Sequence, residues 1–123
     1  MKLSESKKLR GLWGEQQAAA YLKRCGYRIV GQNYTCRFGE IDVIAADRKY
    51  VVFVEVKLRK SGRGGVGREA VTPAKQRRIS QGALAFMARR GLMNRQARFD
   101  VIEIQGTDVT HIVNAFPYQG PAF

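Results

Sequence analysis

The 123-residue chain is short of acids, with ten Asp and Glu against 22 Lys and Arg. It has two cysteines, Cys25 and Cys36, and a single histidine, His111. Together these cannot supply four ligands for a structural zinc site. Two cysteines are also too few for a disulfide framework, and free thiols are expected. No apolar run approaches the length that crosses a bilayer; Val51–Val54 and Ala83–Ala88 are among the longest. The opening stretch "MKLSESKKLRGLW" places charges where a signal peptide needs apolar residues, which predicts a cytoplasmic protein. There is no phosphate-cradling P-loop: "GRGGVG" has the glycines but not the closing Lys-Ser/Thr. No Ser/His/Asp or Cys/His nucleophile arrangement is supported either.

What is present is positive charge. A net charge of +12 and an isoelectric point near 10.3 on one small domain point to a polyanionic partner. Nucleic acid is the default. A membrane surface would call for a separate basic amphipathic segment, and none stands apart from the core.

The length suits one domain spanning 1–123. Residues 1–8 are charged and expected to fray. From Leu9 the spacing predicts a helix with Leu9, Leu12, Trp13, Gln16, Ala19 and Ala20 on one face. Gly26 caps its end. A second stripe of Gly11, Glu15, Ala18 and Leu22 carries an acid toward the interior if both sides pack. A short strand at Tyr27–Val30 and a turn at Gly31–Asn33 follow. Ile41–Ala46 and Val51–Lys57 are predicted strands joined through "DRK". Residues 58–68, "LRKSGRGGVGR", read as a flexible basic loop. Thr72 and Pro73 start a second helix as N-cap and first helical position. Ile79, Ala83, Phe86 and Met87 form its buried face, and Gly91 ends it. Strands at Arg98–Ile104 and Val109–Ala115 flank the turn "QGTD", and an irregular, flexible tail closes the chain from 117. The order α-β-β-β-α-β-β predicts a mixed α/β domain with a central sheet and helices against it.

Two acids sit inside the apolar hairpin, where they are costly. If Ala46 pairs with Val51 across a four-residue loop, Asp42 lies opposite Glu55, with the Cβ atoms about 5 Å apart. Lys57 shares the face of Glu55. Two opposed carboxylates repel unless one is protonated or a cation lies between them. Mg²⁺ accepts carboxylate oxygens and keeps waters that can become nucleophilic. Lys57 could then orient such a water or neutralise phosphate charge. The plainer alternative is an ion pair between Lys57 and either acid, with no metal. Glu40 is either beside this site or a surface acid. Asp100 is expected to pair with Arg98 or another arginine, and His111 to be structural.

"GEID…FVEVK" resembles the D-x(n)-E-x-K core of the PD-(D/E)xK nucleases, the restriction-endonuclease-like superfamily. The longer series "GLWGEQQAAAYLKRCGYRIVGQNYTCRFGEIDVIAAD", "VVFVEVKLR", "AVTPAKQRRI", "RFDVIEI" and "HIVNAF" resembles the bacterial YraN family, in that order, over about residues 11–116. That family is assigned to the nuclease fold with similarity to archaeal Holliday junction resolvases. The resemblance implies metal-binding acids at Asp42 and Glu55, a helix acid at Glu15, a catalytic lysine at Lys57 and a site-facing glutamine at Gln76. Ile41 replaces the usual proline, which the superfamily can dispense with. The implied cofactor is Mg²⁺ or Mn²⁺. The implied partner is DNA, branched DNA included, with a homodimer left open by analogy with junction resolvases. Arg59, Lys60, Arg63, Arg68, Lys75, Arg77 and Arg78 are the candidate phosphate contacts. Three expectations follow: a Mg²⁺-dependent endonuclease, a module of the same fold that grips DNA without cutting, or a salt-bridged domain whose basicity serves another partner such as RNA.

Overall fold

The computed structural model describes residues 3–59 and 71–120, with side chains described from residue 9 onward. Helix α1 (Leu3–Arg24) is followed by strands β1 (Arg28–Cys36), β2 (Gly39–Ala46) and β3 (Tyr50–Leu58). Helix α2 (Pro73–Arg89) and strands β4 (Gln96–Gln105) and β5 (Asp108–Ile112) complete the chain. The strands form one sheet in sequence order, antiparallel except that β3 and β4 run parallel, with α2 between them in the chain. This is the mixed α/β architecture expected from the sequence.

The two helices cover opposite faces. Ile79, Ala83, Phe86 and Met87 of α2 pack on Ile44, Val51, Phe53, Phe99 and Val101. Phe53 and Phe99 stack at 5.8 Å, and Phe99 stacks on Phe116 at 5.2 Å. Each buried side chain of this size contributes roughly 1.5–3 kcal/mol. The other face carries Ala18 and Leu22 of α1 against Val43, Ala45, Val52, Val54, Ile102 and Ile104. Thr72 and Pro73 begin α2 as predicted, the Thr72 hydroxyl accepting the Lys75 N–H at 3.2 Å.

Several expectations change. First, α1 begins at Leu3, because the stretch before Gly11 is rich in straight-chain helix formers and contains neither Gly nor Pro. Second, its apolar stripe faces out: Leu9, Leu12 and Trp13 are 52%, 37% and 46% exposed. The sheet instead meets the small-residue stripe of Gly14, Glu15, Ala18, Ala19 and Leu22. Close approach selects that face. A Cβ placed on Gly14 would meet the Leu58 side chain at 3.0 Å. Gly14→Val is therefore expected to lose roughly 1–3 kcal/mol in chemical denaturation; unchanged stability would refute this contact. Third, Gly31–Asn33 is not a turn but lies inside β1, where the register with β2 slips between Ile29 and Gly31. The chain reverses instead at Arg37–Phe38, between the paired residues Cys36 and Gly39. Fourth, the tail from 117 lacks regular structure but is anchored as far as it is described: the Gln119 N–H donates to the buried Ser80 hydroxyl at 2.9 Å. In the predicted basic loop 58–68, Leu58 still belongs to β3 and the Arg59 N–H donates to the Ile104 carbonyl at 2.8 Å. Residues 60–68 lie outside the described residues. The β4–β5 hairpin is tighter than "QGTD" suggests, with Gln105 paired to Asp108, and β5 stops at Ile112.

The central hairpin sets up the site. Ala46 pairs with Val51 and Val43 with Val54, which is the predicted register. The pairing ends there, although β2 continues back to Gly39 alongside β1, and β3 continues to Leu58 alongside β4. The sheet thus forks between β2 and β3. Strict alternation also breaks: Ile44 and Ile41 both join the α2-side cluster, while Val43 joins the α1 side. Once unpaired from β3, β2 can twist, and Asp42 turns into the fork.

Candidate active site

Losing its ladder partner would leave the Val56 N–H unpaired in the fork. The Asp42 carboxylate takes that place, accepting the N–H at 2.8 Å. Asp42 thereby spans the gap between the two strands. Glu55, the preceding residue of β3, is buried to 4% exposure. Its Oε2 lies 3.2 Å from the Lys57 Nζ and also meets the Lys75 ammonium from the first turn of α2. Glu15 enters from α1, itself only 7% exposed. One oxygen each from Glu15, Glu40 and Asp42 lie within 4.8 Å of one another.

This cluster is electrostatically strained. Two ionised carboxylates about 5 Å apart repel by roughly 3 kcal/mol at an effective dielectric near 20. Burial first, and then the charge of Glu55, push the Asp42 carboxyl up to about 8. Burial also raises Glu15, reinforced by Glu40 and Glu55 and opposed by hydrogen bonds from Asn33 and Asp42. Lys75 moves the other way from its surroundings: burial disfavours its charge, but the contact with Glu55 and the field of Asp42 win, and its pKa rises. Among the described residues, Glu15 Oε1 is buried with no hydrogen-bond partner.

The structure thus divides the two sequence readings. Glu55 is ion-paired, and doubly so. Asp42, Glu15 and Glu40 make no ion pair among the described residues and supply oxygen donors only. That set fits a small hard dication such as Mg²⁺, which takes a few carboxylate oxygens and retains waters. The orphaned Glu15 oxygen and the like-charge repulsion are what such an ion would relieve.

The acids line a cleft of 320 Å³ whose walls include Arg10, Gly11, Lys57, Leu58 and Lys75. A second cleft of 320 Å³ on the α2 side shares Asp42, Glu55 and Lys75 and adds Glu40 and Arg78. Of the residues singled out from sequence, Glu15, Asp42, Glu55 and Lys57 converge here. Gln76 does not: its side-chain amide donates to the Val71 carbonyl at 2.9 Å and ties down the start of α2. Lys75, expected only as a phosphate contact, takes the inward position. Arg78 stands at the rim, Arg77 is exposed, and Arg59 sits 3.5 Å from Glu103. Lys60, Arg63 and Arg68 lie outside the described residues. Sequence reasoning missed Arg10; it placed Gly11 on the face of Glu15, one helical turn away, without assigning it to the cleft.

Asp100 is a contrasting acid. It is fully buried and accepts from Arg98 at 2.9 and 2.8 Å and from the Asn114 N–H at 2.9 Å, with His111 Nε2 at 2.7 Å. Tyr27 and Tyr21 extend the network beyond Arg98 and His111. Burial pushes Asp100 up, but His111, Arg98 and the Asn114 N–H overcome it, and its pKa falls. This acid is fully partnered, with Arg98 among its partners as expected, and ties β4 to β5.

The fold and its site define a mixed α/β domain with a carboxylate cluster in a forked sheet. The model for uncharacterised protein family UPF0102 matches residues 14–104, and the chain belongs to that family. It is 49% identical over 118 residues to "UPF0102 protein GSU0650" of Geobacter sulfurreducens, covering 92% of each chain. It is 49% identical over 110 residues to a UPF0102 protein of Syntrophus aciditrophicus (86% of this chain, 87% of the relative). Against one from Lachnoclostridium phytofermentans the identity is 42% over 120 residues, covering 94% and 98%. No helix among the described residues is long and apolar enough to cross a membrane.

Proposed function

We propose that this chain is a divalent-metal-dependent endonuclease that hydrolyses phosphodiester bonds in DNA, with branched DNA among its candidate substrates and the cytoplasm as its place of action. The observation that carries this reading is the fork: three carboxylates with oxygens within 4.8 Å, two lysines on the adjoining Glu55, and a chain of net charge +12. Asp42, Glu15 and Glu40 would hold Mg²⁺ or Mn²⁺, with Glu55 beside them. When bound, the ion supplies Lewis acidity toward a phosphoryl oxygen and acidifies water. Lys57 faces the cleft next to Glu55, where it can orient the attacking water and offset charge building on the phosphate. Lys75 does the same from the α2 side. Arg10 and Arg78 stand where flanking phosphates would pass.

A second reading, a DNA-binding module that does not cut, is favoured by one observation: Glu55 is already neutralised by two lysines. A cleavage assay on supercoiled plasmid and four-way junctions in Mg²⁺ or Mn²⁺ separates the two. Endonuclease activity requires nicking by the wild type that chelation stops. It also requires Lys57→Ala to lose nicking while its metal affinity, measured by calorimetry, stays the same. DNA binding with no metal-dependent nicking would leave only the second reading.

Gly11 gives a test that leaves the charges alone. A Cβ there meets nothing within 4 Å, and the position lines the acid cleft. Gly11→Leu is expected to keep the fold, or to gain roughly 0.5–1 kcal/mol as helix propensity improves. Its side chain would grow into the cleft and block cleavage. If Gly11→Leu cuts like the wild type, DNA does not enter by this cleft.

A further inference from the structure

The outward face of α1 leaves the chain's one tryptophan, Trp13, 46% exposed beside Leu9 at 52%. With Leu58 and Ile104 they line a groove of 450 Å³ rimmed by Arg10 and Arg59. Arg10 and Leu58 also line the acid cleft, so groove and cleft adjoin. Arg59 lies 3.5 Å from Glu103. An apolar floor containing an indole, edged by two guanidinium groups, suits a ligand with an apolar face and an anionic edge. A nucleotide has that shape and charge: its base stacks on aromatic and aliphatic side chains while its phosphate meets arginine. A second copy of this chain is the poorer fit, because it would bring another +12 charge and its own arginine rim against this one.

We infer that this groove binds one unpaired nucleobase next to the cleft. The inference rests on the nuclease reading and narrows its substrate class to nucleic acid with an unpaired nucleotide beside the phosphate that is cut. A base inside a duplex has both faces covered by its neighbours and cannot present one to Trp13. Frayed ends, flaps, gaps and single strands can.

Because Trp13 is the only tryptophan, intrinsic tryptophan emission reports this groove directly. The experiment titrates metal-free protein with a single-stranded oligonucleotide, an abasic strand of the same length and a blunt duplex. The single strand is expected to quench Trp13. The abasic strand and the duplex should bind through their phosphates with little quenching. Trp13→Ala should weaken single-strand binding by at least about tenfold and leave duplex binding unchanged. Equal quenching by intact and abasic strands would overturn the inference, and so would equal weakening of all three ligands by Trp13→Ala. A concentration-dependent dimer in sedimentation, lost in Trp13→Ala and unaccompanied by single-strand quenching, would overturn it too and assign the face to self-association. No cleavage enters this assay. Quenching without any nuclease activity would therefore uphold the base site and remove only the nuclease reading.

Discussion

Asp42→Asn is expected to abolish cleavage and to stabilise the protein. The loss of activity should be on the order of 10²–10³-fold, because the substitution replaces a central carboxylate of the fork with a neutral amide. The gain in stability has a separate cause. Burial and Glu55 push the Asp42 carboxyl up to about 8 in the folded chain, whereas in the unfolded chain it titrates near the ordinary aspartate value of 3.8. Between those values the folded state holds more protons than the unfolded state, so wild-type stability falls as pH rises. Asparagine escapes this cost and can still accept the Val56 N–H. The variant's advantage should be near zero around pH 4, grow up to about pH 8, and level off at several kcal/mol. Denaturant melts at several pH values measure this. A difference that stays constant with pH would mean that Asp42 is not a strained acid.

Asp100→Ala should do the reverse. Asp100 is fully buried, and its partners are Arg98, His111 and the Asn114 N–H. Removing it strands an arginine whose side chain is only 11% exposed. Breaking a buried pair from one side costs about 3–5 kcal/mol, which lowers the melting temperature by roughly 10–20 °C in a domain of this size. The pH window is also different. Asp100's folded pKa lies below its unfolded value, so its contribution is complete above about pH 4 and fades as pH falls through the folded value. Asp100→Ala should therefore lose the most stability near neutrality and converge with wild type in acid. Any activity that remains should follow the folded fraction. If Asp100→Ala were as stable as the wild type, this network would not be what closes the sheet's far side.

These two aspartates show what could be read in the sequence. Both lie in β-branched runs, and the strand pattern alone does not separate strained from satisfied acids. The Ala46–Val51 register was legible because the four-residue loop length and the apolar alternation agree. The second helix was legible because Thr72 and Pro73 have one good use at a helix start. The face of α1 was not: leucine and tryptophan outweigh glycine and alanine in a hydrophobic pattern, while the sheet chooses the face that lets backbones approach closely. Gly31 and Asn33 read as a turn because a slip in strand register has the same local chemistry. Glu40 and Lys75 reach the site only because β2 is unpaired from β3 before Val43 and because α2's first turn aims inward. Neither event has a short-range period. The choice of Lys75 over Gln76 is a rotation of one residue on a helix, fixed by the Gln76 bond to the Val71 carbonyl.

The proposed function stands or falls on a divalent cation in the forked sheet. Calorimetric titration of the wild type and Asp42→Asn with Mn²⁺ in two buffers of different ionisation heat tests it most directly. Asp42 must lose its proton before it can ligate, so binding to the wild type should release close to one proton below about pH 8, with affinity rising as pH rises toward that value. Asp42→Asn should bind at least about tenfold more weakly and release none. Wild type and Asp42→Asn that bind Mn²⁺ equally, or wild type that shows no binding at any pH, would contradict the account.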